Sequence, residues 1–205
     1  MNGIITIGRE FGSEGRELGI QLSQKLNVAY YERELVTEIA KRTHMSEKYV
    51  TEVMEYRPQK DFPISMADNA AVLADNVLMQ QKMSISIEMI RIVREVAAKG
   101  NCVIIGRCAD YILEDFSPFR IFVYASLEDR IARRLRIETA EGAKITLKEM
   151  QKKVPAVDRI RADHYRKYTG KTWDDPNNYD MMINTTGREV DEISTRLARF
   201  FRESF

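Results

Sequence analysis

Cysteine, histidine and tryptophan are scarce in this chain of 205 residues, which has two, two and one of them. Cys102 and Cys108 are too few for a disulfide framework or a four-ligand zinc site, and they read as buried or incidental thiols. His44 and His164 stand alone in the sequence. Charge of one sign is missing too, because 32 Lys and Arg face 31 Asp and Glu and leave a net charge of +1. That balance gives no overall attraction to nucleic acid or to an anionic membrane, so any basic site must be local. No apolar run reaches the roughly 18 residues that a membrane span requires. The chain also enters a strand-like run at once, without a basic and apolar leader. A cytoplasmic protein that binds small molecules, and neither nucleic acid nor membrane, is expected.

Hydrophobic residues make up 44% of the chain, enough for one domain with a substantial core and a mobile appendage. Its organising stretch is IITIGREFGSEGRELG, residues 4–19. Ile4, Ile5 and Ile7 suit a strand buried on both faces, and Leu18, Leu22 and Leu26 recur at helical spacing beyond the glycines. Gly8, Gly12 and Gly15 fall in the crossing. Glycines there let backbone N–H groups approach an anion at a helix N-terminus, where the peptide dipoles favour negative charge. The signature G-x-x-x-x-G-K-[ST] is not met: its first Gly would fall on Glu10, and Arg16 and Glu17 follow Gly15 where Lys and a hydroxyl residue are expected. Arg16 supplies a cation there, but as a planar fork and not a compact ammonium. An ordinary tight turn between strand and helix is the alternative reading.

Further along, residues 28–31 offer a short second strand. Leu35, Ile39 and Ala40 mark one helical face, and Val50, Val53 and Met54 mark another after Ser46, a plausible N-cap. Two short helices about a tight turn resemble a DNA-reading pair, but Glu47, Glu52 and Glu55 against Lys48 disfavour phosphate contact. Pro58 and Pro63 make 57–68 an irregular connection. A long helix is expected over about 70–99, ended by Gly100, with Leu73, Val77, Leu78, Ile87, Ile90, Val93 and Val96 as its buried stripe. Met79, Met83 and Met89 read as core filling. Strands follow at 101–107, 120–126 and 179–185. Strands separated by helices imply parallel pairing with right-handed crossovers, hence a three-layer α/β sheet. Ligands of such sheets sit beyond the carboxyl ends of the strands, which gathers the 12–16 loop, Arg107, Asp110, Ser126 and Thr185 on one rim.

The most basic part lies between the last two strands. A helix opened by Ser126 carries Arg130, Arg133, Arg134 and Arg136, and another from about Thr146 carries Arg159, Arg161 and Arg166 among other cations. Arg159, Asp163 and Arg166 share a helical face, two cations and one acceptor. Such a face could grip a phosphate through the arginines and a base or sugar through the carboxylate. A solvated helix with intrahelical ion pairs accounts for the same spacing.

Assembled, these pieces resemble the cytidylate kinase-like family over nearly the full length. The likeness is carried by REFGSEGREL (9–18), VIIGRCADY (103–111), DRIRADHYR (158–166) and YDMMINTT (179–186), with ASLEDRIARR (125–134) as a related pattern. It implies a P-loop kinase-type fold with a helical acceptor-binding insertion over about 33–99 and a basic lid-like segment over about 140–176. It implies transfer of the γ-phosphoryl group of ATP to CMP or dCMP, with Mg²⁺. By that match Gly12, Ser13, Glu14, Gly15, Arg16 and Glu17 hold ATP, and Arg107, Asp110, Arg159, Asp163 and Arg166 hold the acceptor. Arg16, Arg130, Arg134 and Arg159 are then the candidate catalytic cations, and no Mg²⁺ ligand is assigned. Two positions depart from the pattern. Cys108 replaces the Asp that ordinary cytidylate kinases carry beside Arg107, and Glu14 stands where this branch generally has Gly. Two other readings stay open: a nucleotide-binding protein of the same fold without phosphoryl transfer, and a kinase for another small phosphate acceptor.

Overall fold

Five short runs become five strands; Ile4–Arg9, Cys102–Ile105 and Phe119–Tyr124 have the β-branched or aromatic content that suits burial on both faces, and Ala29–Tyr31 is a short, partly exposed edge. The computed structural model describes residues 3–55 and 69–202. β1 spans Ile4–Arg9, β2 Ala29–Tyr31, β3 Cys102–Ile105, β4 Phe119–Tyr124 and β5 Met181–Asn184. All pair in parallel, in the order β2-β3-β1-β4-β5. Parallel neighbours require crossovers, and helices supply them on both faces. One face buries Ile5, Ile7, Val103, Ile105, Ile121 and Val123 under α1 (Gly15–Leu26) and α8 (Val190–Arg202), through Leu18, Leu22, Leu197 and Phe201. The other buries Ile4, Cys102 and Ile104 under α2 (Arg33–Thr43), α3 (Glu47–Glu55) and α4 (Asn69–Ala98). The doubly covered parallel sheet implied by the sequence is the one that forms.

Local chemistry sets the helix ends. Ser126 caps α6 (Leu127–Ala140) by accepting from the Asp129 N–H at 3.2 Å. Thr146 and Glu149 form a reciprocal capping box at the start of α7 (Leu147–Thr169), and Gly170 closes it at φ +71°. A short helix α5 (Ala109–Ile112) follows the end of β3. Among the described residues, no helix is long and apolar enough to cross a membrane.

The stripe on α4 is turned from the expected one. Ile85, Met89, Ile92, Val93, Val96 and Ala97 are buried, whereas Val77, Leu78, Met79, Met83, Ile87 and Ile90 are exposed. Apolar residues occur around the whole helix, so spacing alone did not single out the face. The contacts of Leu35, Ile39 and Val50 with this cluster decide it. The side chain of Leu73 and the connection expected over 57–68 lie outside the described residues. α3 buries Val50 and Met54 in the same cluster, which leaves Glu47, Lys48, Thr51 and Glu52 on its polar side.

The reassigned face can be measured. Met89→Ala should cost about 2–5 kcal/mol, the range for truncating a fully buried Met. Met83→Ala should stay within about 0.5 kcal/mol, as an exposed substitution does. Urea unfolding monitored by circular dichroism compares the two.

Candidate functional site

Residues 10–14 turn from β1 into α1, and neighbours beyond both ends of the turn hold them. The Phe11 N–H donates to Asp158 Oδ1 at 2.7 Å, and Asp158 also pairs with Arg130. The Ala125 N–H donates to the Glu10 carboxylate at 3.0 Å, and Arg130 Nε lies 3.3 Å from it. Burial pushes the Glu10 carboxyl above its ordinary value, against the pull of the Ala125 N–H and the Arg130 charge. The Thr185 hydroxyl donates to the Ser13 carbonyl at 2.9 Å, and Arg161 Nη1 donates to the Arg9 carbonyl at 3.1 Å. Gly12 sits at φ +84°, where an added Cβ would come 2.8 Å from the Arg130 carbonyl oxygen. Only glycine fits there.

So held, the turn leaves most of its amides without a partner. Among the described residues, the N–H groups of Gly12, Glu14, Gly15, Arg16 and Glu17 have no acceptor. They cluster at the N-terminus of α1, which is the arrangement that receives phosphate. Glu14 adopts φ +62°, and its carboxylate turns aside to Arg133 Nε at 3.4 Å, so it does not plug the turn. The Ser13 hydroxyl donates to the Glu10 carbonyl at 2.9 Å and is fully buried.

Beside the turn opens a cleft of about 960 Å³ beyond the carboxyl ends of β1, β2 and β3. Among the described residues, Arg9, Arg16, Arg33, Lys48, Arg107 and Arg161 line it, against Glu32, Glu47 and Glu52. Arg107 reaches it from a backbone in a left-handed turn: Gly106, Arg107 and Cys108 have φ of +65°, +60° and +52°. A side-chain-bearing residue in that region costs about 1 kcal/mol or more, a strain typical of functional sites. At its inner end lies a small cavity of about 60 Å³, walled by Arg107, Asp110, Arg161, His164, Tyr165, Trp173 and Tyr179 among others. Tyr165 donates to Asp110 at 2.6 Å. Burial still raises the Asp110 carboxyl above its ordinary range, opposed by that hydrogen bond. Burial likewise pushes the Cys108 thiol far up and the Cys102 thiol to about 11, so neither is a thiolate. A third hollow of about 480 Å³ flanks the turn, between α6 (Asp129, Arg133, Arg136) and the Gly187–Glu189 loop after β5.

The structure redistributes the expected arginines. Arg130 is only 7% exposed and holds the turn through Glu10 and Asp158. Arg134 lies over the Phe11 ring at 4.6 Å and pairs with Glu138 at 2.8 Å. Arg159 and Arg166 are exposed and line none of the three hollows, and Arg166 pairs with Asp163 at 3.1 Å. The helical face that turns inward is the adjacent one, with Asp158, Arg161 and Tyr165. Its neighbours Val154 and Tyr165 are buried, and that apolar register was the available signal. Arg9 and Glu32 were also missed, because nothing in their spacing separates them from other surface charges. Arg16 and Arg107 do meet at the cleft, and Asp110 lies at its inner end.

A profile of the cytidylate kinase-like family matches residues 4–187. The chain belongs to the cytidylate kinase-like family. It is 28% identical over 134 residues to a cytidylate kinase of Thermotoga petrophila, an alignment covering 65% of this chain and 58% of that protein. Thus the chain spans little more than half the length of that curated relative. Among solved structures, an uncharacterized protein from Eubacterium ventriosum superposes with a TM-score of 0.68 at 23% identity, covering 98% of both chains. A shikimate kinase from Bacteroides thetaiotaomicron superposes at 0.57 and 16% identity, covering 98% of this chain and 99% of the other. The fold is therefore that of the P-loop kinases.

Within that family pattern, the Glu14 departure has a physical reading. A left-handed backbone is one that glycine adopts without strain, and this chain instead points a carboxylate at Arg133. In Glu14→Gly, relief of about 1 kcal/mol of strain should offset the about 0.5–1 kcal/mol entropic cost of glycine. The unfolding midpoint should barely move, while pyrophosphate, followed by calorimetry, should bind more tightly without the carboxylate. For Asp110 the sign runs the other way from a paired acid. A folded-state value above the unfolded one stabilises at low pH, and that contribution is lost as pH rises through the folded value. Thermal melts of Asp110→Asn should therefore show a higher Tm than the parent at pH 7, with the gap closing toward pH 4.

Proposed function

We propose that the chain is a nucleoside monophosphate kinase that transfers the γ-phosphoryl group of ATP to CMP or dCMP. The observation that carries this reading is the adjacency of two anion seats of different kinds. One is the run of unpaired amides at the start of α1, and the other is the arginine-rich cleft with Arg107 and Arg161. A donor polyphosphate would lie along the amides of residues 12–17, with its nucleoside in the hollow beside Arg133 and Gly187. The acceptor phosphate would lie between Arg107 and Arg161, and its base would point toward α3 or Asp110.

Phosphoryl transfer asks the protein for alignment and charge stabilisation more than for covalent steps. An acceptor phosphate oxygen attacks the γ-phosphorus, the bond to the β-phosphate bridging oxygen breaks, and ADP leaves. Guanidinium groups suit this work, being planar, permanently charged and bidentate toward phosphate. The donor set does not fit a loop-held Mg²⁺. The Ser13 hydroxyl is fully buried beneath the turn, the position after Arg16 is Glu17 and not a hydroxyl residue, and among the described residues no three His, Cys, Asp or Glu side chains gather. Mg²⁺ is proposed to arrive with the nucleotide, on its phosphate oxygens and water. A cytoplasmic setting, where both nucleotides are available, agrees with the reading.

The assay is direct: purified protein, ATP, Mg²⁺ and each nucleoside monophosphate, with CDP formed fastest from CMP. Binding without turnover would favour a nucleotide-binding protein, and turnover with a different acceptor would change the substrate. Arg161→Ala should lose about 2 kcal/mol of transition-state stabilisation, about thirtyfold in kcat/KM for the acceptor. Arg159→Ala should stay near the parent rate. The reverse order would return the acceptor phosphate to the outer face of α7.

A further inference from the structure

Among the described residues, Glu32 is the carboxylate that contacts both Arg16 and Arg9. It directly follows β2 and stands at the N-cap of α2, where a short polar side chain ordinarily accepts from the first turn of the helix. Its side chain makes no such cap. It turns into the cleft instead and is only 12% exposed there. Three donors converge on it: Arg16 Nε at 2.5 Å, the Tyr30 hydroxyl at 2.9 Å and Arg9 Nη2 at 3.4 Å. Arg16 belongs to the first turn of α1, on the donor side. Arg9 belongs to the end of β1, and its guanidinium packs over Gly106, next to Arg107 on the acceptor side; a Cβ at Gly106 would come 2.0 Å from Arg9 Nη1.

We propose that Glu32 is a coupling residue, an internal anion whose displacement from Arg16 and Arg9 makes donor and acceptor bind cooperatively. This rests on the nucleotide kinase reading. In the ligand-free state the carboxylate answers charges that phosphates would otherwise meet. A polyphosphate taking Arg16 removes the closest of its three contacts and sets like charge beside it. The longer Arg9 contact is the weaker one, so the carboxylate retreats and Arg9 is released toward the acceptor. The same exchange started by the acceptor frees Arg16, since coupling between two binding sites is reciprocal.

Calorimetry tests this with a non-hydrolysable ATP analogue and CMP, each titrated alone and with the other saturating. In the parent each ligand should tighten the other by about fivefold or more, the lower end of typical coupling. In Glu32→Gln, which keeps shape and removes charge, each ligand alone should bind more tightly and the mutual factor should fall toward one. Tyr30→Phe keeps the charge and should keep the coupling. A Glu32→Gln protein with undiminished coupling, or with weaker CMP binding alone, overturns the inference, the latter by making Glu32 a direct acceptor contact. Inorganic pyrophosphate separates the two levels of failure. If neither nucleotide binds but Glu32→Gln tightens pyrophosphate, the nucleotide reading falls and the competition stands; unchanged pyrophosphate affinity removes the competition itself. Nuclear magnetic resonance of the parent needs no variant. The Arg9 and Arg16 Nε–H signals should both shift on adding pyrophosphate, and a shift of Arg16 alone contradicts the coupling.

Discussion

The arrangement depends on Asp158. From the middle of α7 its carboxylate accepts the Phe11 N–H and pairs with Arg130, which in turn lies against Glu10. A turn rich in positive φ has little intrinsic preference for one shape, because glycine loses more conformational freedom than any other residue on folding. The cost has to be met by contacts from outside the turn. Asp158, Arg130 and Thr185 supply them from three later elements, so the amides at the start of α1 converge although the usual loop Lys and its hydroxyl neighbour are absent. A charge-assisted bond at a half-buried position contributes more than an exposed ion pair, and the Asp158 and Arg130 contacts, with the neutral bond from Thr185 to the Ser13 carbonyl, make a stiff cradle.

This commitment explains how the arginines divide. α6 and α7 together carry a surplus of cations, and their roles follow from where each helix meets the turn. Arg130 and Arg134 pack behind the turn, against Asp158, Glu138 and the Phe11 ring. Arg161 donates to the Arg9 carbonyl and looks into the cleft from the other side. α7 is further tied down by Tyr165 on Asp110, Lys153 on Glu138 and Tyr168 on Ser86 of α4. A segment anchored along its length holds its arginines ready, at lower entropic cost when a ligand binds.

Much of the architecture was legible in the sequence. β-branched runs of strand length, each followed by a helical period, leave few alternatives to a doubly covered parallel sheet, and the 4–19 stretch put the glycine turn where β1 passes into α1. Arg107 was readable too, because it directly follows the glycine at the end of β3. What could not be read was which of several equivalent faces turns inward. On α4 apolar residues surround the helix, so Ile87 and Ile90 looked as buried as Ile85 and Met89. On α7 the triplet of Arg159, Asp163 and Arg166 has the same periodicity as Asp158, Arg161 and Tyr165, and only tertiary packing separates them. Glu32 was illegible for a different reason: its significance lies in Arg9 and Arg16 being brought to it by a fold, and no local pattern encodes that meeting.

A crystal structure of the protein with an ATP analogue and CMP tests the central claim most directly. The account expects the polyphosphate on the amides of Gly12 to Glu17 and the acceptor phosphate between Arg107 and Arg161, with Arg159 and Arg166 still facing solvent. An acceptor phosphate held by Arg159 and Arg166, or a nucleotide bound away from the turn, would contradict it.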